Sequence, residues 1–326
     1  MRELHITRRD WPARGHFRIS RSQLSVIPTV QVALSEGPHM GRAECRPYAR
    51  YGQTVESVVA ELETMREAMQ SGMDRAALQD ALPAGPARNA LDCALWDLEA
   101  RRTGTPVWSR LGVSRPKARQ TCFTLSVDTP AAMAEAARAA RQHTTLKVKL
   151  GSDSIVESLD AIHAARPDAA LVVDANEAFD AASFAALYRE LARFPITLLE
   201  QPLPAGKDTS LPTGGAPVCA DESLHTASDL PRLHAAGYRA VNVKLDKCGG
   251  LTAALALCEA ARAAGMTVMA GCMVGSSLAM APMMMLESLA DVIDLDGPLL
   301  LANDEPGGLR YAEGCVFPPD PGFWGG

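Results

Sequence analysis

The chain has 326 residues, with 32 Lys and Arg against 38 Asp and Glu, a net charge of −6, 47% hydrophobic residues and 21% charged ones. That length suggests about two domains, and the apolar share is ample for a large core. The acidic balance, with no basic run, argues against a nucleic-acid or anionic-membrane partner. Eight cysteines (Cys45, Cys93, Cys122, Cys219, Cys248, Cys258, Cys272 and Cys315) form no Cys-x-x-Cys pair and lie mostly in apolar contexts. They read as buried thiols of a reducing cytoplasm. The first ten residues hold no apolar run of the signal-peptide kind. Residues 266–286 carry no charge and approach the length of a membrane span, but Gly271, Gly275, Ser276, Ser277 and Pro282 interrupt them. A buried strand, a loop and a core helix are expected there, and no membrane partner.

In chain order, the first 110 or so residues show no β/α rhythm. Residues 24–34 alternate partly like a strand, and 54–71 read as a helix with Val55, Val58, Val59, Leu62, Met65 and Met69 on one stripe. A second helix over 87–102 ends in Arg101, Arg102, Gly104 and Pro106, a stop signal. An α+β capping domain over residues 1–112 is the expectation. From about 118 the rhythm begins, with strands expected at 120–127, 144–150, 170–175, 196–200, 217–221, 240–245, 267–271 and 291–296. Ala-rich helical stretches at 130–142, 153–166, 180–194 and 250–264 separate most of them. The fold class is therefore α/β, a TIM-like (β/α) barrel over 113–301, with the Gly- and Pro-rich tail 302–326 packing back on the first domain.

Charged residues close the apolar runs of this second part. The runs end in Lys147-Val148-Lys149, Asp174-Ala175-Asn176, Glu200, Asp221 and Lys244, and from Asp174 the steps are 26, 21 and 23 residues. Each step fits one strand plus one return helix, so these groups meet at the carboxyl ends of parallel strands, where barrel active sites lie. Only six lysines occur, at 117, 147, 149, 207, 244 and 247, because arginine serves nearly everywhere else. Lysine, unlike arginine, can lose its proton when crowded or buried.

Residues two apart on a strand share a face, which pairs Lys147 with Lys149, Asp174 with Asn176, Lys244 with Asp246 and Asp294 with Asp296. Asp174, Glu200 and Asp221, from three adjacent strands, suit a hard cation, Mg²⁺ above all. No histidine has zinc-ligand spacing with a cysteine. Lys149 and Lys244 should flank the cation from opposite sides, and Lys147 and the cation together should lower the pKa of Lys149 by like-charge repulsion, leaving it partly neutral near pH 7. One amine takes an α-proton, the cation stabilises the enediolate, and the other amine returns a proton to the opposite face. That is a 1,1-proton transfer.

These motifs resemble the enolase superfamily. Lys147-Val148-Lys149, Asp174-Ala175-Asn176, Glu200-Gln201-Pro202, Asp221-Glu222-Ser223 and Val243-Lys244-Leu245-Asp246-Lys247 all match, over nearly the whole chain. Lys244 in place of a histidine dyad points to the muconate-lactonising subgroup. Residues 46–52, 82–97 and 294–298 are similar to dipeptide epimerases of the L-Ala-D/L-Glu type. The resemblance implies a (β/α)7β barrel and one Mg²⁺ per subunit on Asp174, Glu200 and Asp221. It makes Lys149 and Lys244 the acid/base pair with Lys147 in support, and Asn176 and Asp246 supporting groups behind them. Asp294 and Asp296 would hold the free ammonium of an L-Ala-Xaa dipeptide, and Thr124, Cys272 and Met273 would line the pocket. The resemblance further implies a cytoplasmic enzyme of murein-peptide metabolism, and it leaves room for a homo-oligomer.

One stretch departs from the family. A loop near residues 15–25 covers the substrate there, and its arginine pairs with a glutamate side chain. This chain has Leu24 at that place and Arg21 three residues earlier. Either Arg21 serves instead, or an apolar second residue suits the pocket, or the loop arginine has no role. N-acylamino acid racemisation and o-succinylbenzoate synthesis would use the same lysines and cation, but their substrates lack the ammonium that Asp294 and Asp296 would receive. A Schiff-base aldolase would not need three carboxylates in register, and a non-catalytic binding protein would not need both lysines.

Overall fold

The computed structural model describes residues 1–19, 22–150, 154–208 and 210–326, apart from the side chains of 15–24. An antiparallel sheet in the order β1-β2-β3 opens the chain, from β1 (Arg2–Ile19), β2 (Ser22–Glu36) and β3 (His39–Cys45). Val30, Val32 and Leu34 alternate inward on the central strand β2 and are fully buried. The sequence gives little sign of β1, because it is an edge strand and most of its side chains between Arg2 and Asp10 are charged. Charges of that kind blunt an edge that could otherwise pair with another chain.

The helix expected over 54–71 is two pieces, Val55–Thr64 and Arg66–Gln70, joined at Met65. Thr54 starts the first, accepting the Ser57 N–H while the Ser57 hydroxyl oxygen accepts the Thr54 N–H, a reciprocal cap. The expected stripe is buried at Val55, Val58, Leu62, Met65 and Met69. The helix Pro86–Thr103 begins with proline in its first turn and ends at Gly104 in the left-handed region, as its stop signal predicts.

The barrel strands are β5 (Phe123–Leu125), β6 (Thr145–Lys149), β7 (Ala170–Asp174), β8 (Ile196–Glu200), β9 (Val218–Ala220), β10 (Ala240–Val243), β11 (Thr267–Gly271) and β12 (Val292–Asp294). They are parallel and neighbour one another in chain order, and the Cys122 N–H donates to the Ile293 carbonyl at 2.8 Å, joining the two ends of the sheet. Helices Pro130–Ala139, Ile155–Ala165, Ala181–Leu191, Leu230–Ala236 and Leu251–Ala263 return between strands. The strand expected at 120–127 divides. Its start, β4 (Arg119–Gln120), leaves the barrel to pair with β14 (Cys315–Phe317), which pairs in turn with β13 (Arg310–Ala312).

After β11 the uncharged stretch becomes a loop, with Cys272, Met273 and Val274 half-buried, then a short helix Ser277–Met280 and a 3₁₀ turn Met283–Leu286, both largely buried. Among the described residues no helix is long and apolar enough to cross a membrane. The tail reaches the first hundred residues: Trp324 Nε1 donates to the Arg42 carbonyl at 2.9 Å and the Gly325 N–H to Asp97 Oδ1 at 2.8 Å.

Several contacts fix the capping sheet and its helices over the barrel mouth, among them two from the helix Pro86–Thr103. Arg88 Nη2 donates to the Cys248 carbonyl at 2.7 Å, and Asp92 accepts from the Thr252 N–H at 2.9 Å. Gly250 makes this approach possible, since a Cβ there would lie 2.6 Å from the Cβ of Asp92. Arg50 grips Glu177, in the loop after β7, with two hydrogen bonds of 2.8 and 2.7 Å.

Candidate active site

The barrel interior has two layers. Cys122, Val172, Leu198, Cys219, Ala240 and Met269 pack together as an apolar floor. Two residues further along the same strands stand Thr124, Asp174, Glu200, Asp221, Asn242 and Gly271, so the pleat places these above the floor. Lys149, Asp174 and Glu200 pair directly across β6, β7 and β8, and Asp221 follows the last residue of β9. The carboxylates of Asp174 and Glu200 are wholly buried and that of Asp221 nearly so.

Each of these carboxylates turns onto an ammonium. Lys147 Nζ lies 2.8 Å from Glu200 Oε2, 2.8 Å from Asp294 Oδ2 and 3.4 Å from Asp174 Oδ2. Lys149 pairs with Asp174, and Lys244 with Asp221 at 2.6 Å. Lys247, buried beneath, bonds the Asp221 side chain and carbonyl and donates to the Asn242 carbonyl at 3.1 Å. Burial alone would raise the Asp174 pKa, but Lys149 and Lys147 hold it below the usual value. Burial opposes charge on Asp221 as well, yet Lys244 and Lys247 keep it well below the carboxylate range. Glu200 is different: burial, then the neighbouring charge of Asp174, pushes it up to about 7.

The partly neutral Lys149 expected from the sequence depends on a bound cation as well as on Lys147, and the protein groups alone do not produce it. Burial and the repulsion of Lys147 act in that direction, but the adjacent Asp174 charge outweighs them and the net shift is upward. Burial likewise opposes charge on Lys244, whose pKa stands well above the ordinary value because of Asp221.

As they stand, no three Asp, Glu, His or Cys groups among the described residues are gathered at metal-binding separation. The donor set still fits a hard cation. It is all oxygen, it comes from three neighbouring strands, and Glu200 Oε2 is buried beside Lys147 without a properly angled hydrogen bond. A cation here would be held by Asp174, Glu200 and Asp221, displacing ammonium groups from their carboxylates.

Residues 1–112 match the N-terminal domain of the mandelate racemase / muconate lactonizing enzyme family, and residues 131–323 match its enolase C-terminal domain-like partner. The chain belongs to this enolase-superfamily family. It is 43% identical to the L-Ala-D/L-Glu epimerase of Escherichia coli (strain K12), over 96% of this chain and 99% of that protein. It is 42% identical to the N-acetyl-D-glutamate racemase of a Pseudoalteromonas species, over 91% of this chain and 95% of that one. An enolase family member from Agrobacterium tumefaciens with homology to dipeptide epimerases, solved with sodium and L-Ala-L-Glu, superposes with a TM-score of 0.96 at 39% identity and full coverage of both chains. The first two of these relatives, an epimerase and a racemase, are isomerases, and the fold is the enolase-type barrel with its antiparallel capping sheet.

Within this enolase-type barrel, most of the expected residues share one region. Lys149, Lys244, Asp221, Asn176, Cys272 and Met273 line a single pocket. Thr124 is buried in the wall, and its backbone N–H donates to Asp296 Oδ2 at 2.6 Å. Asp294 lies beside it, bound to Lys147 through Oδ2, while its Oδ1 is buried without a hydrogen bond. Burial and the Asp294 charge raise Asp296 to about 6.

Asp246 does not share a face with Lys244. β10 stops at Val243, and Lys244 caps the short helix Leu245–Cys248, so strand alternation no longer applies. Asp246 turns to the capping domain instead, accepting from the Arg46 N–H at 3.1 Å and Asn89 Nδ2 at 2.8 Å. Arg21 lies outside the described residues, as does the side chain of Leu24.

Several site residues were not expected from the sequence. Asn242 Nδ2 donates to Glu200 Oε1 at 2.8 Å. Gln201 lies in the left-handed region at φ 35°, and its Oε1 accepts the N–H groups of Asp221 and Ser223, fixing the turn that carries Asp221. Arg46, Tyr48, Tyr51 and Glu222 complete the pocket wall. Burial, then the Asp221 charge, lifts Glu222 to about 8. Asn242 follows the β10 alternation and was legible in principle; the others depend on contacts between distant parts of the chain.

Proposed function

We propose that the protein is a Mg²⁺-dependent dipeptide epimerase that inverts the α-carbon of the second residue of an L-Ala-Xaa dipeptide. The observation that carries this reading is the placement of Lys149 and Lys244. They stand at the ends of β6 and β10, four strands apart in an eight-stranded ring, and line one pocket. Two amines facing a carbon from opposite sides can exchange its proton between faces. Mg²⁺ on Asp174, Glu200 and Asp221 would supply positive charge against the substrate carboxylate, where negative charge develops as the α-proton leaves.

Lys149, as the free amine, takes the α-proton while the C–H electron pair stays with the substrate. Lys244, as the ammonium, delivers a proton to the opposite face, and the roles exchange in reverse. Asp174 and Asp221 now hold both lysines protonated. Sharing those carboxylates with a divalent cation weakens that hold, and Lys147 adds repulsion on Lys149. The unbonded Oδ1 of Asp294 and the charge of Asp296 suit a substrate ammonium. Eight free thiols, six of them buried, support a cytoplasmic setting. We read the chain as a capping domain, 1–112, and a barrel, 113–301, with the tail 302–326 on the former.

A second reading, racemisation of N-acylated amino acids, is favoured by one feature. Lys147 already neutralises part of the Asp294 charge at 2.8 Å, and the Pseudoalteromonas relative is a racemase of that kind. Incubation with Mg²⁺ in D₂O separates the two. One deuterium gained at the second α-carbon of L-Ala-L-Xaa dipeptides, and lost on chelation with EDTA, is the expected result. Exchange confined to N-acetyl amino acids would move the assignment to the second reading.

A further inference from the structure

We propose that Arg46 selects an acidic side chain on the substrate residue being inverted, which rests on the epimerase reading above. Arg46 follows the last residue of β3, so the capping sheet directs it at the barrel mouth. Its side chain lines the same pocket as Lys149, Lys244 and Met273, although the residue is only 6% exposed. A guanidinium has five N–H donors. Among the described residues only one finds an acceptor, Nη1 on the Val274 carbonyl at 3.0 Å in the loop after β11.

The charged neighbours do not complete the count. Asp246 accepts the backbone N–H of Arg46, and no carboxylate among the described residues lies within ion-pair distance of the guanidinium. Tyr48 offers its ring face at 5.9 Å. Burial lowers the Arg46 pKa in spite of Tyr48, Asp246 and Cys272.

A buried cation short of acceptors is unfavourable until an anion joins it. The planar fork of arginine matches a carboxylate with two parallel bonds. The proton transfer does not need this cation, since Lys149 and Lys244 supply the amines. The neighbouring Met273 and Val274 offer an apolar wall for the methylenes of a glutamate side chain.

The test is kcat/KM for α-proton exchange on L-Ala-L-Glu and its neutral isostere L-Ala-L-Gln. The wild type should favour Glu by about 30-fold or more, the size of a desolvated charge pair. Arg46→Met should bring the two substrates within about threefold of each other through loss on Glu alone, and Arg46→Lys should restore part of the ratio. An equal loss on both substrates would show that Arg46 only props the Val274 loop, and would overturn the proposal. So would a wild type that does not discriminate, a measurement that holds even if Arg46→Met fails to fold. N-acetyl-L-Glu and N-acetyl-L-Gln run in parallel. A Glu preference confined to that pair upholds Arg46 while dismissing the dipeptide reading, and exchange on none of the four overturns both.

Discussion

Gly271→Ala tests how the carboxylate layer is held. Gly271 is the last residue of β11, outside the left-handed region, so alanine can adopt its backbone. A Cβ there would lie 2.2 Å from Asn242 Oδ1 and 2.9 Å from its Cγ and Nδ2. Asn242 is fully buried and donates to Glu200, so it must shift and release that bond. A hydrogen bond to a charged group contributes about 1.5–3 kcal/mol, and overpacking a core costs about 1–3 kcal/mol. Alanine returns about 0.4–1 kcal/mol by restricting the unfolded chain. The net expectation is a loss of about 2–5 kcal/mol, read from the urea midpoint.

Mg²⁺ affinity by calorimetry should fall by about 10- to 100-fold, because Asn242 orients Glu200, one of the three proposed cation ligands. In an Asn242→Ala background the clash partner is gone, and the same glycine substitution should cost at least about 1 kcal/mol less. Stability within about 0.5 kcal/mol of wild type, with unchanged affinity, is the range of a surface substitution and would refute the packing argument.

Asp296→Asn keeps an oxygen for the Thr124 N–H but removes a charge. Turnover of dipeptides should fall by about 10- to 100-fold, the size of a charge-assisted hydrogen bond, while N-acetyl amino acids change little. An equal loss on both classes would argue against an ammonium site. Asp246, raised to about 6 by burial, gives a pH signature. Its folded pKa exceeds the unfolded value of about 3.9, so the folded state binds the proton more tightly and loses stability as pH rises through about 4 to 6, by about 3 kcal/mol in all. Asp246→Asn should flatten that part of the stability curve, and an unchanged slope in urea titrations across the window would contradict the assignment.

The barrel was legible because each strand is a short apolar run closed by a charge, and the expected strand at 196–200 coincides with β8. Lys147, Lys149, Asp174 and Glu200 fell into place because they lie within strands, where alternation fixes direction. The same reasoning failed just beyond β10, where a helical turn carries Asp246 away from Lys244, and nothing local in the sequence announces that turn. It was weaker beyond β12, where Asp296 has left the strand and a loop conformation sets its direction. Arg46 and Gln201 stand in stretches that resemble the family, but their roles were not legible, since their partners lie 228 residues ahead in one case and on the next strand's turn in the other. The pull of Asp174 on Lys149 was not legible, because sequence places Lys147 beside it but does not show how closely Asp174 approaches.

The central claim is that two lysines serve opposite faces of one carbon. Its most direct test is α-proton exchange in D₂O with both epimers of the substrate, using Lys149→Ala and Lys244→Ala with Mg²⁺ present. Neither variant should epimerise, and each should still exchange one epimer only, the one facing its remaining lysine, so that the two variants are complementary. Epimerisation by either variant, or exchange of the same epimer by both, would contradict the claim.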